Sequence, residues 1–518
     1  MAQHHVTDQQ RKQLQTILKL VGRTTLGEHL RLNEIKPNQS IDALHLALLQ
    51  RTEVMPYHDF ANFVARLVPT EKPSTPEALF TIPQLLTDDK VVALARRQRL
   101  DGALPLTQWQ MRYLYTQQLA LQKSLGRQMG LKKLKQVHPF VLYRDPLLTY
   151  VNGLPCSSLD TLIAAGFARG MWQEHLAVQP PVTAIQAAGK SRLQQIMAFA
   201  ETLKQAGAGI NMLHARPSHL TDLTFELARQ AGRLVRMAEI CPELKLYIYD
   251  SGVMGPYRKD IEFFLQGLQI PMLARLLSAT GVAGYADQLQ HPNQVRLDAE
   301  AGIFFEFIPL DDLDANGRFK RDFRRLHVGR LELGSEYILV VTSRAGLIAF
   351  NTELVVKICS LEPLRVEVKR TTAMLNTLGE RLSTDLIDPL IEEFNDATAK
   401  GYGFFIREYM VADQADNRQA LWVMELSRPL GEVKAAVLKS FTNRLHAELS
   451  RSSKSYYRAF QGQGSFQPLM TFVPLGTFAA MPGSFCPTHL DLSPDARRVR
   501  QLIQRAGSDK LSIRATAV

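Results

Sequence analysis

Asp312, Asp314, Asn316 and Gly317 occur at a spacing that could bind a metal ion, because they resemble the start of a calcium-binding loop. Such a loop also needs a bidentate glutamate at its twelfth position, to complete the shell of oxygen ligands. Phe323 stands at that position. The segment therefore predicts a surface turn rather than a calcium site.

Histidines form two close groups, and neither predicts a site. His214 and His219 are five residues apart, which places them off one helical face, and Pro217 interrupts the segment. His4 and His5 precede Asp8 with one residue too few for an acyltransferase HHxxxD motif. The sequence also lacks GxxxxGK[ST], GxSxG and GxGxxG. No metal site is expected.

Helices and buried strands must position whatever chemistry the chain performs. Apolar residues at helical spacing predict helices over 8–50, 108–136, 189–206 and 218–239, and the proline-rich segment 71–83 predicts a loop. Short apolar runs predict strands over 244–249, 303–308, 337–341 and 354–358. This alternation indicates an α/β fold.

The pattern changes after Pro363. It predicts a strand over 365–369, a helix over 383–397 with Ser383 or Thr384 as N-cap, strands over 404–411 and 421–425, and a helix over 430–450. This order is typical of a small α+β domain. We therefore expect a large domain over 1–368 and a small domain over 369–518.

Composition is that of an ordinary globular protein. The 518 residues include 46% hydrophobic residues and carry a net charge of +11, which excludes disordered and fibrous classes. The four cysteines are far apart and form no CxxC pair, which argues against a zinc ribbon or a disulfide scaffold. The polar N-terminus and the absence of a long apolar run predict no secretory signal and no membrane span. We expect a cytoplasmic protein.

Positive charge comes in small clusters, which usually form solvated faces. The clusters are Arg96, Arg97 and Arg99; Lys132, Lys133 and Lys135; Arg318 to Arg325; and Arg497, Arg498 and Arg500. No zinc-finger, RRM-type or bZIP motif accompanies them. Nucleic acid is therefore not the favoured partner.

Several motifs resemble, in order, those of the Gretchen Hagen family, the auxin-responsive acyl-acid–amido synthetases of plants and their bacterial relatives. The most specific are GIFFEFIPL at 302–310 and the LGSEY, VVT and AGL blocks at 333–337, 340–342 and 345–347. Weaker matches are 56–60, 241–245 with Gly252, Gly255 and Tyr257, 375–382, Tyr457 with Arg458, and 474–478. The resemblance spans most of the chain.

The resemblance implies a large N-terminal α/β domain and a small C-terminal α+β lid, related to acyl-adenylate-forming enzymes. The family activates a carboxylate with Mg-ATP, releases pyrophosphate and passes the acyl group to the amine of an amino acid. Backbone amides of a Ser/Thr/Gly loop cradle the phosphates, and a carboxylate binds Mg²⁺. An aspartate binds the ribose, and a lid residue brings positive charge to the phosphates.

The family's phosphate loop aligns with residues 94–102, just before the retained Leu104–Thr107 end of its motif. Arginine replaces both glycines of the loop, at Arg96 and Arg99, the hydroxyl residues are lost, with Arg97 at one of their positions, and Gly102 takes the place of the loop lysine. Bulky side chains prevent backbone amides from approaching a triphosphate closely. The standard phosphate cradle is therefore not expected.

Two other ATP motifs also depart from the family pattern. In the segment aligned with YGxTEG, Leu276 replaces the adenine-stacking tyrosine and Thr280 replaces the Mg-binding glutamate. In the segment aligned with YRYRxGD, both arginines are lost, at Ala349 and Asn351, and Leu354 replaces the ribose-binding aspartate. Glu353 is adjacent, but the alternation of a strand would point it to the opposite face.

A cleft between the two domains is nevertheless expected, because the hinge and lid motifs persist. The candidate cleft and hinge residues are Thr107, Ser278, Phe350, Lys369, Arg370, Glu380 and Arg381. No catalytic residue is assigned.

Three functions fit these observations. The favoured one is a diverged relative that has lost standard adenylation and binds an acyl acid, another carboxylate or a protein partner, since three ATP elements fail together. The second is an amide-forming ligase or acyltransferase that uses a preactivated acyl donor or rebuilt ATP contacts, with the cluster at 96–99 holding a phosphate or carboxylate. The third is a nucleic-acid or acidic-partner binder. No cofactor is expected, and ATP with Mg²⁺ only if the site is rebuilt.

Overall fold

The computed structural model describes most of the chain. The described residues are 3–68, 75–96, 102–131, 137–142, 148–164, 192–250, 254, 257–314, 317–376, 379–414, 419–460, 468–481, 489–491 and 496–515.

Helices are spread over the whole described chain. The α-helices are α1 (Gln3–Val21), α2 (Thr25–His29), α3 (Ile41–Leu49), α4 (Tyr57–Arg66), α5 (Pro76–Leu79), α6 (Gln108–Gln128), α7 (Leu159–Ala164), α8 (Arg192–Ala206), α9 (Pro217–Ala231), α10 (Met237–Ile240), α11 (Arg258–Phe264), α12 (Thr384–Tyr402), α13 (Ala435–Ser452), α14 (Lys454–Phe460) and α15 (Arg497–Arg505).

Strands alternate with these helices. They are β1 (Val91–Arg96), β2 (Ala103–Thr107), β3 (Pro139–Leu142), β4 (Thr149–Val151), β5 (Leu154–Ser157), β6 (Met212–Ala215), β7 (Leu246–Asp250), β8 (Met272–Leu277), β9 (Ala283–Ala286), β10 (Val295–Leu297), β11 (Ile303–Pro309), β12 (Leu326–His327), β13 (Glu336–Ser343), β14 (Phe350–Leu361), β15 (Leu364–Thr371), β16 (Ile406–Gln414), β17 (Gln419–Leu426), β18 (Leu469–Val473), β19 (His489–Asp491) and β20 (Leu511–Arg514).

The strands of the described chain form three sheets. The largest has eleven strands in the order β12-β11-β13-β14-β15-β10-β9-β8-β7-β6-β3, in which β3, β6, β7 and β8 run parallel. A four-stranded sheet has the order β2-β1-β5-β4, and a five-stranded sheet has the order β19-β16-β17-β18-β20. The α/β fold class predicted from the sequence is confirmed.

Most predicted elements are present, although one helix was not predicted and several elements begin or end elsewhere. A short helix, α5, lies inside the segment predicted as a loop, because Thr75 caps the backbone amide of Ala78 and Pro76 occupies the first helical position. The helix predicted over 218–239 stops at Ala231, where Gly232 adopts a left-handed conformation (φ 65°) that ends the helix. The N-cap predicted at Ser383 is confirmed.

The strand predicted over 365–369 belongs to a different sheet from the one expected. It forms part of β15, which pairs with β14 and β10 in the eleven-stranded sheet and continues past residue 368 to Thr371. The predicted β-α-β-β-α order is present along the chain, but its first strand pairs in the eleven-stranded sheet and not with β16 or β17. The five-stranded sheet instead gains β18, β19 and β20, short strands far apart in the sequence.

Buried apolar residues fall into separate groups along the chain. The largest cluster runs from Val6 to Val368 and packs against the faces of the eleven-stranded sheet. Two further clusters, from Leu375 to Leu490 and from Met410 to Ala506, cover the two faces of the five-stranded sheet. Within the described residues, no buried apolar cluster joins these two parts of the chain.

A buried carboxylate lies at the centre of the largest core. Glu306, in the middle of the FFEFIP strand β11, is fully buried. Its Oε1 accepts hydrogen bonds from Arg325 (2.6 Å) and binds His45 Nε2 (3.0 Å), while its Oε2 accepts one from Thr342 (3.3 Å). Burial opposes ionisation of Glu306, but Arg325 and His45 outweigh it and hold the pKa of the carboxyl below its usual value.

Arg325 corrects one expectation about charge. The arginine cluster from 318 to 325 was expected to form a solvated face, yet Arg325 is buried. Its Nη1 also donates to the backbone carbonyl (2.9 Å) and hydroxyl (3.1 Å) of Thr52. Arg324, by contrast, is exposed and pairs with Asp312. Of these two arginines, the buried Arg325 is the one that ties the N-terminal segment to the sheet.

We predict that Glu306→Gln destabilises the large domain by about 3–5 kcal/mol, because removing one partner leaves the buried charge of Arg325 uncompensated. The urea midpoint of the domain's unfolding transition measures this loss. Asp312→Asn, which removes the exposed pair with Arg324, is the matched control and should leave the midpoint unchanged. Equal midpoints for Glu306→Gln and the wild type would contradict the prediction.

Candidate functional site

The strands β1 and β2 carry the two ends of the segment that the sequence resemblance aligns with the family's phosphate loop. Arg96 ends β1, pairs with Ala103 and donates from Nη2 to Thr149 Oγ1 at 2.8 Å. Gly102 precedes β2 with φ 129°, and a Cβ there would lie only 2.2 Å from the hydroxyl oxygen of Tyr57. Gly102 is therefore needed for packing against Tyr57. Arg97 and Arg99 lie outside the described residues.

Thr107 lies at the other end of β2, where it begins helix α6. Its hydroxyl accepts from the Gln110 backbone amide (3.3 Å), and Gln110 Oε1 accepts from the Thr107 backbone amide (3.1 Å), which together form a capping box. Gln110 Nε2 is buried, makes no hydrogen bond within the described chain and approaches Gly281. The start of α6 thus packs against the turn between β8 and β9.

That turn holds the segment that the sequence resemblance aligns with the family's YGxTEG motif, and its Thr280 and Ser278 side chains bond each other. Thr280 Oγ1 donates to Ser278 Oγ at 3.1 Å, and the backbone amide of Gly281 donates to the Ser278 carbonyl at 2.9 Å. Thr280 is buried, and Leu276 belongs to the large apolar core. Neither Thr280 nor Leu276 offers a carboxylate or an aromatic face.

The third segment aligned with an ATP motif, from Ala349 to Leu354, is linked to the Glu306 cluster through Thr342. The backbone amide of Ala349 donates to Thr342 Oγ1 at 3.0 Å, and the backbone amide of Met55 donates to the Ala349 carbonyl at 3.1 Å. Asn351 Oδ1 accepts from the backbone amide of Glu353 at 2.8 Å. Leu354 packs against the large core. Hydrogen bonds within the large domain thus hold this segment in place.

The expected alternation at Glu353 does not hold. Glu353 has φ 62°, and the pairing of β13 with β14 shifts between Leu339, opposite Leu354, and Val340, opposite Asn351. The segment therefore bulges, and Glu353 cannot be assigned to a face by the regular period of a strand.

One helix links two of these segments. Tyr57 on α4 packs against Gly102, and Phe60 on the same helix meets Phe350 edge to face, with ring centroids 5.8 Å apart. The structure thus brings Gly102 and Phe350 together through α4. Thr107, Ser278 and Thr280 group separately around the start of α6.

The predicted hinge residues follow the last strand of the large sheet. Lys369 pairs with Glu367 on its own strand (3.2 Å), whereas Arg370 bonds both Asp385 of α12 (3.1 Å) and Glu336 of β13 (3.4 Å). Arg370 therefore connects the large sheet to the first turn of the lid. Glu380 is fully buried and Arg381 has φ 51°, so both lie in a constrained turn between β15 and α12.

A buried polar cluster lies on three neighbouring parallel strands. Arg275 Nε on β8 donates to Asp250 Oδ1 at the end of β7 (2.9 Å), and its Nη2 is 4.0 Å from Asp160 Oδ2. His214 on β6 is buried, and neither its ring nitrogens nor Arg275 Nη2 make a hydrogen bond within the described chain. Burial, then Arg275, lowers the pKa of His214 to about 3, so the ring is neutral. Such strand ends are where open α/β sheets bind ligands.

An ionic chain crosses the interface between helices α8 and α9 and the five-stranded sheet. Asp222 on α9 pairs with Arg192 on α8 and with Arg407 on β16, and Arg407 Nη1 also donates to Glu425 on β17 at 2.9 Å. All four side chains are buried. The Arg407 guanidinium also lies 4.3 Å from the ring centre of Phe225. Asp222 and Arg407, which pair across the interface, thus each have a second ionic partner on their own side, Arg192 and Glu425 respectively.

A second polar group crosses the same interface. Tyr257 donates from its hydroxyl to Glu408 at 2.8 Å, and His489 lies between Glu408 and Asp388 with 3.2 Å to each. The His489 ring stacks on Tyr409 at 4.2 Å. Burial opposes protonation of His489, but Asp388 and Glu408 outweigh it and raise the pKa of the imidazole to about 9. His489 is therefore a cation at neutral pH.

Sequence reasoning missed both the strand-end cluster and the interface groups. For β16, a local signal existed, because Arg407 and Glu408 are adjacent charges in an otherwise apolar strand. Buried charges of this kind require partners. No such signal marks Arg192, Asp222 or His489, whose partners are distant in sequence.

Metal and membrane features are absent from the described chain. No group of three His, Cys, Asp or Glu side chains there could hold a metal ion. The segment predicted as a surface turn bonds to itself, with Asp314 Oδ1 accepting from the Arg318 backbone amide at 2.9 Å. Among the described helices, none has the length and apolar character needed to cross a bilayer.

We predict that the part of the chain around the five-stranded sheet becomes less stable between pH 6.5 and 9.5, because His489 and its partners Asp388 and Glu408 all belong to it. Protonated His489 stabilises the native state fully below its unfolded pKa near 6.5, and this contribution, on the order of 3 kcal/mol, is lost as pH rises through about 9. Urea unfolding of this part of the chain, measured across this range, should show the decline. In His489→Gln the decline should be flatter, whereas exposed His291→Gln should behave like the wild type. A wild-type slope in His489→Gln would refute this assignment.

Comparisons with known proteins agree with the motifs. Residues 298–369 match the GH3 family central domain, and no curated protein sequence matches the chain.

The fold is similar to GH3.15 acyl acid amido synthetase, with TM-score 0.72 and 14% identity, covering 99% of this chain and 95% of that chain. AtGH3.15 acyl acid amido synthetase in complex with 2,4-DB gives TM-score 0.66 and 13% identity, with the same coverage. A 2-hydroxyisobutyryl-CoA ligase in the postadenylation state gives TM-score 0.58 and 13% identity over 96% of this chain and 91% of that one. The chain therefore carries a GH3 family central domain within the fold of an adenylate-forming enzyme, which confirms its resemblance to the Gretchen Hagen family.

Proposed function

We propose that this chain is a diverged GH3-type protein that binds an acyl acid, or another carboxylate, without standard ATP-dependent adenylation. The observation that carries the proposal is the turn between β8 and β9. There the residue aligned with the Mg-binding glutamate is Thr280, and its hydroxyl already bonds Ser278. A divalent hard cation needs oxygen ligands, usually carboxylates, and this turn supplies none.

The other two ATP segments support the same proposal. Leu354 offers no acceptor to a ribose, and the Asn351 side chain is bonded to its own loop. Tyr57 occupies the space into which a side chain at position 102 would point. The residues present thus do not fit Mg-ATP bound in the family's manner, and we derive no adenylation step.

The strand-end cluster supports a role in carboxylate binding. Arg275 Nη2 and the neutral ring of His214 are buried polar groups without hydrogen bonds in the described chain. Each such group costs about 1–3 kcal/mol unless a partner is supplied. An oxygen of a bound acid can accept from Arg275 Nη2 and from a protonated ring nitrogen of His214.

We further propose two domains, 1–368 and 369–518, with the lid closing over this site. The separate apolar cores on either side of residues 369–374 support the division. Arg370 supports the hinge assignment, because it bonds to both parts. Thr107, Ser278 and Phe350 would then line the cleft, and Glu380 and Arg381 would shape the lid turn.

An amide-forming ligase or acyltransferase remains the second candidate. The nearly complete fold of an amido synthetase, lid included, favours it. Such an enzyme would need a preactivated acyl donor or ATP contacts different from those of the family, which Arg96 is placed to join at the hairpin.

ATP–pyrophosphate exchange across a panel of carboxylic acids tests the proposal. We expect no exchange above the protein-free background and no change in melting temperature with Mg-ATP, because the metal and ribose ligands are missing. Exchange dependent on one acid, or a clear Mg-ATP shift, would instead establish the ligase.

The carboxylate panel provides the complementary measurement. We expect at least one acid to raise the melting temperature, and Arg275→Lys to abolish that ligand-dependent rise by removing Nη2 while keeping the charge. Arg365→Lys is the matched control, since Arg365 is also a strand arginine bound to an aspartate, Asp287 (3.0 Å). No shift with any acid, or an equal shift in Arg275→Lys, would count against carboxylate binding at this cluster.

A further inference from the structure

A cavity of about 70 Å³ lies beside the turn between β8 and β9. Its walls come from α6, β9 and the β10–β11 connection, and they include Tyr113, Gln117, Ala283, Tyr285, Asp298 and Ala301. Ala283 is two residues beyond Gly281, so the cavity adjoins the candidate site. A volume of about 10–15 Å³ accommodates one water-sized group, so this cavity can hold several heavy atoms.

Asp298 gives the cavity a fixed carboxylate. Tyr113 donates its hydroxyl to Asp298 Oδ2, and the backbone amide of Glu300 donates to Oδ1 at 2.9 Å. Each carboxylate oxygen has two lone-pair positions. Both oxygens of Asp298 therefore retain one position for a donor in the cavity.

Asp298 and Arg296 are the charged side chains among those that line the cavity. Arg296 lies 3.5 Å from Asp287, which Arg365 also binds through two contacts of 3.0 and 3.2 Å. Arg296 is thus paired with a carboxylate outside the cavity lining, whereas the carboxylate of Asp298 lines the cavity itself. The pKa of Tyr113 is raised first by burial and then by the carboxylates of Asp298 and Glu300.

Aromatic and small side chains shape the rest of the cavity. The rings of Tyr113 and Tyr285 form two walls, and Trp109 stacks on Tyr113 with ring centroids 5.0 Å apart. Ala283 and Ala301 leave the volume open, because longer side chains at these positions would fill it. Aromatic faces attract cations, and a carboxylate such as Asp298 forms a charge-assisted hydrogen bond with an ammonium group.

We propose that this cavity binds the primary ammonium group of a small alkylamine. The ammonium donates to the free lone pairs of Asp298, the rings of Tyr113 and Tyr285 contact its charge, and the alanines receive its first methylene groups. This inference goes beyond the proposed function and is independent of it, because neither an acyl acid nor ATP takes part.

Titration of the full-length protein with n-propylammonium chloride, followed by calorimetry, tests the inference. We expect saturable binding, at least tenfold weaker binding of 1-propanol, and at least tenfold weaker binding of the amine to Asp298→Asn. Asp322→Asn, which removes an exposed carboxylate elsewhere, should bind like the wild type. Ala283→Val should also lose binding, because it fills the cavity without changing any charge.

A second variant keeps the test decisive if Ala283→Val does not fold. Tyr285→Leu removes one aromatic wall and should weaken binding of the amine by about two- to fivefold, which corresponds to the 0.5–1 kcal/mol of an exposed cation–π contact. Binding of 1-propanol should be unaffected. Melting temperatures verify that each variant is folded. Absence of saturable amine binding to the wild type, equal affinity for 1-propanol, or undiminished binding to Asp298→Asn would each overturn the proposal.

Discussion

The buried carboxylate of Glu306 is the interaction on which the large domain depends. It joins α3 through His45, the N-terminal segment through Arg325 and Thr52, and β13 through Thr342. A charge without solvent must be compensated by hydrogen bonds and opposite charge. Because these partners come from distant parts of the chain, satisfying Glu306 fixes how the helices pack on the sheet.

The same carboxylate also positions part of the candidate site. Thr342, which donates to Glu306, accepts from the backbone amide of Ala349. Thr52, held by Arg325, precedes Met55, whose backbone bonds to Ala349 and Asn351. The Glu306 cluster is therefore linked by hydrogen bonds to the segment that the sequence resemblance aligns with the family's ribose-binding motif.

The lid interface follows a related rule with a different consequence. Asp222 has Arg192 on its own side, Arg407 has Glu425, and Glu408 has His489. When both halves of an interface compensate their own charges, separation leaves no isolated buried ion, so the cost that normally opposes breaking a buried pair is reduced. The two parts of the chain thus share a specific polar interface without a common apolar core.

The sequence by itself determined the element types, the α/β class and the family resemblance. These follow from local period, capping residues such as Ser383 and ordered motifs such as FFEFIP. It also predicts which residues depart from the family's ATP motifs. It did not determine that β15 joins the large sheet, that Arg325 is buried, or that a bulge displaces Glu353, since sheet membership and burial depend on partners far away in the chain. Only the tertiary structure decided the strand-end cluster, the lid contacts and the Tyr113–Asp298 cavity, because each assembles side chains whose proximity no sequence spacing encodes.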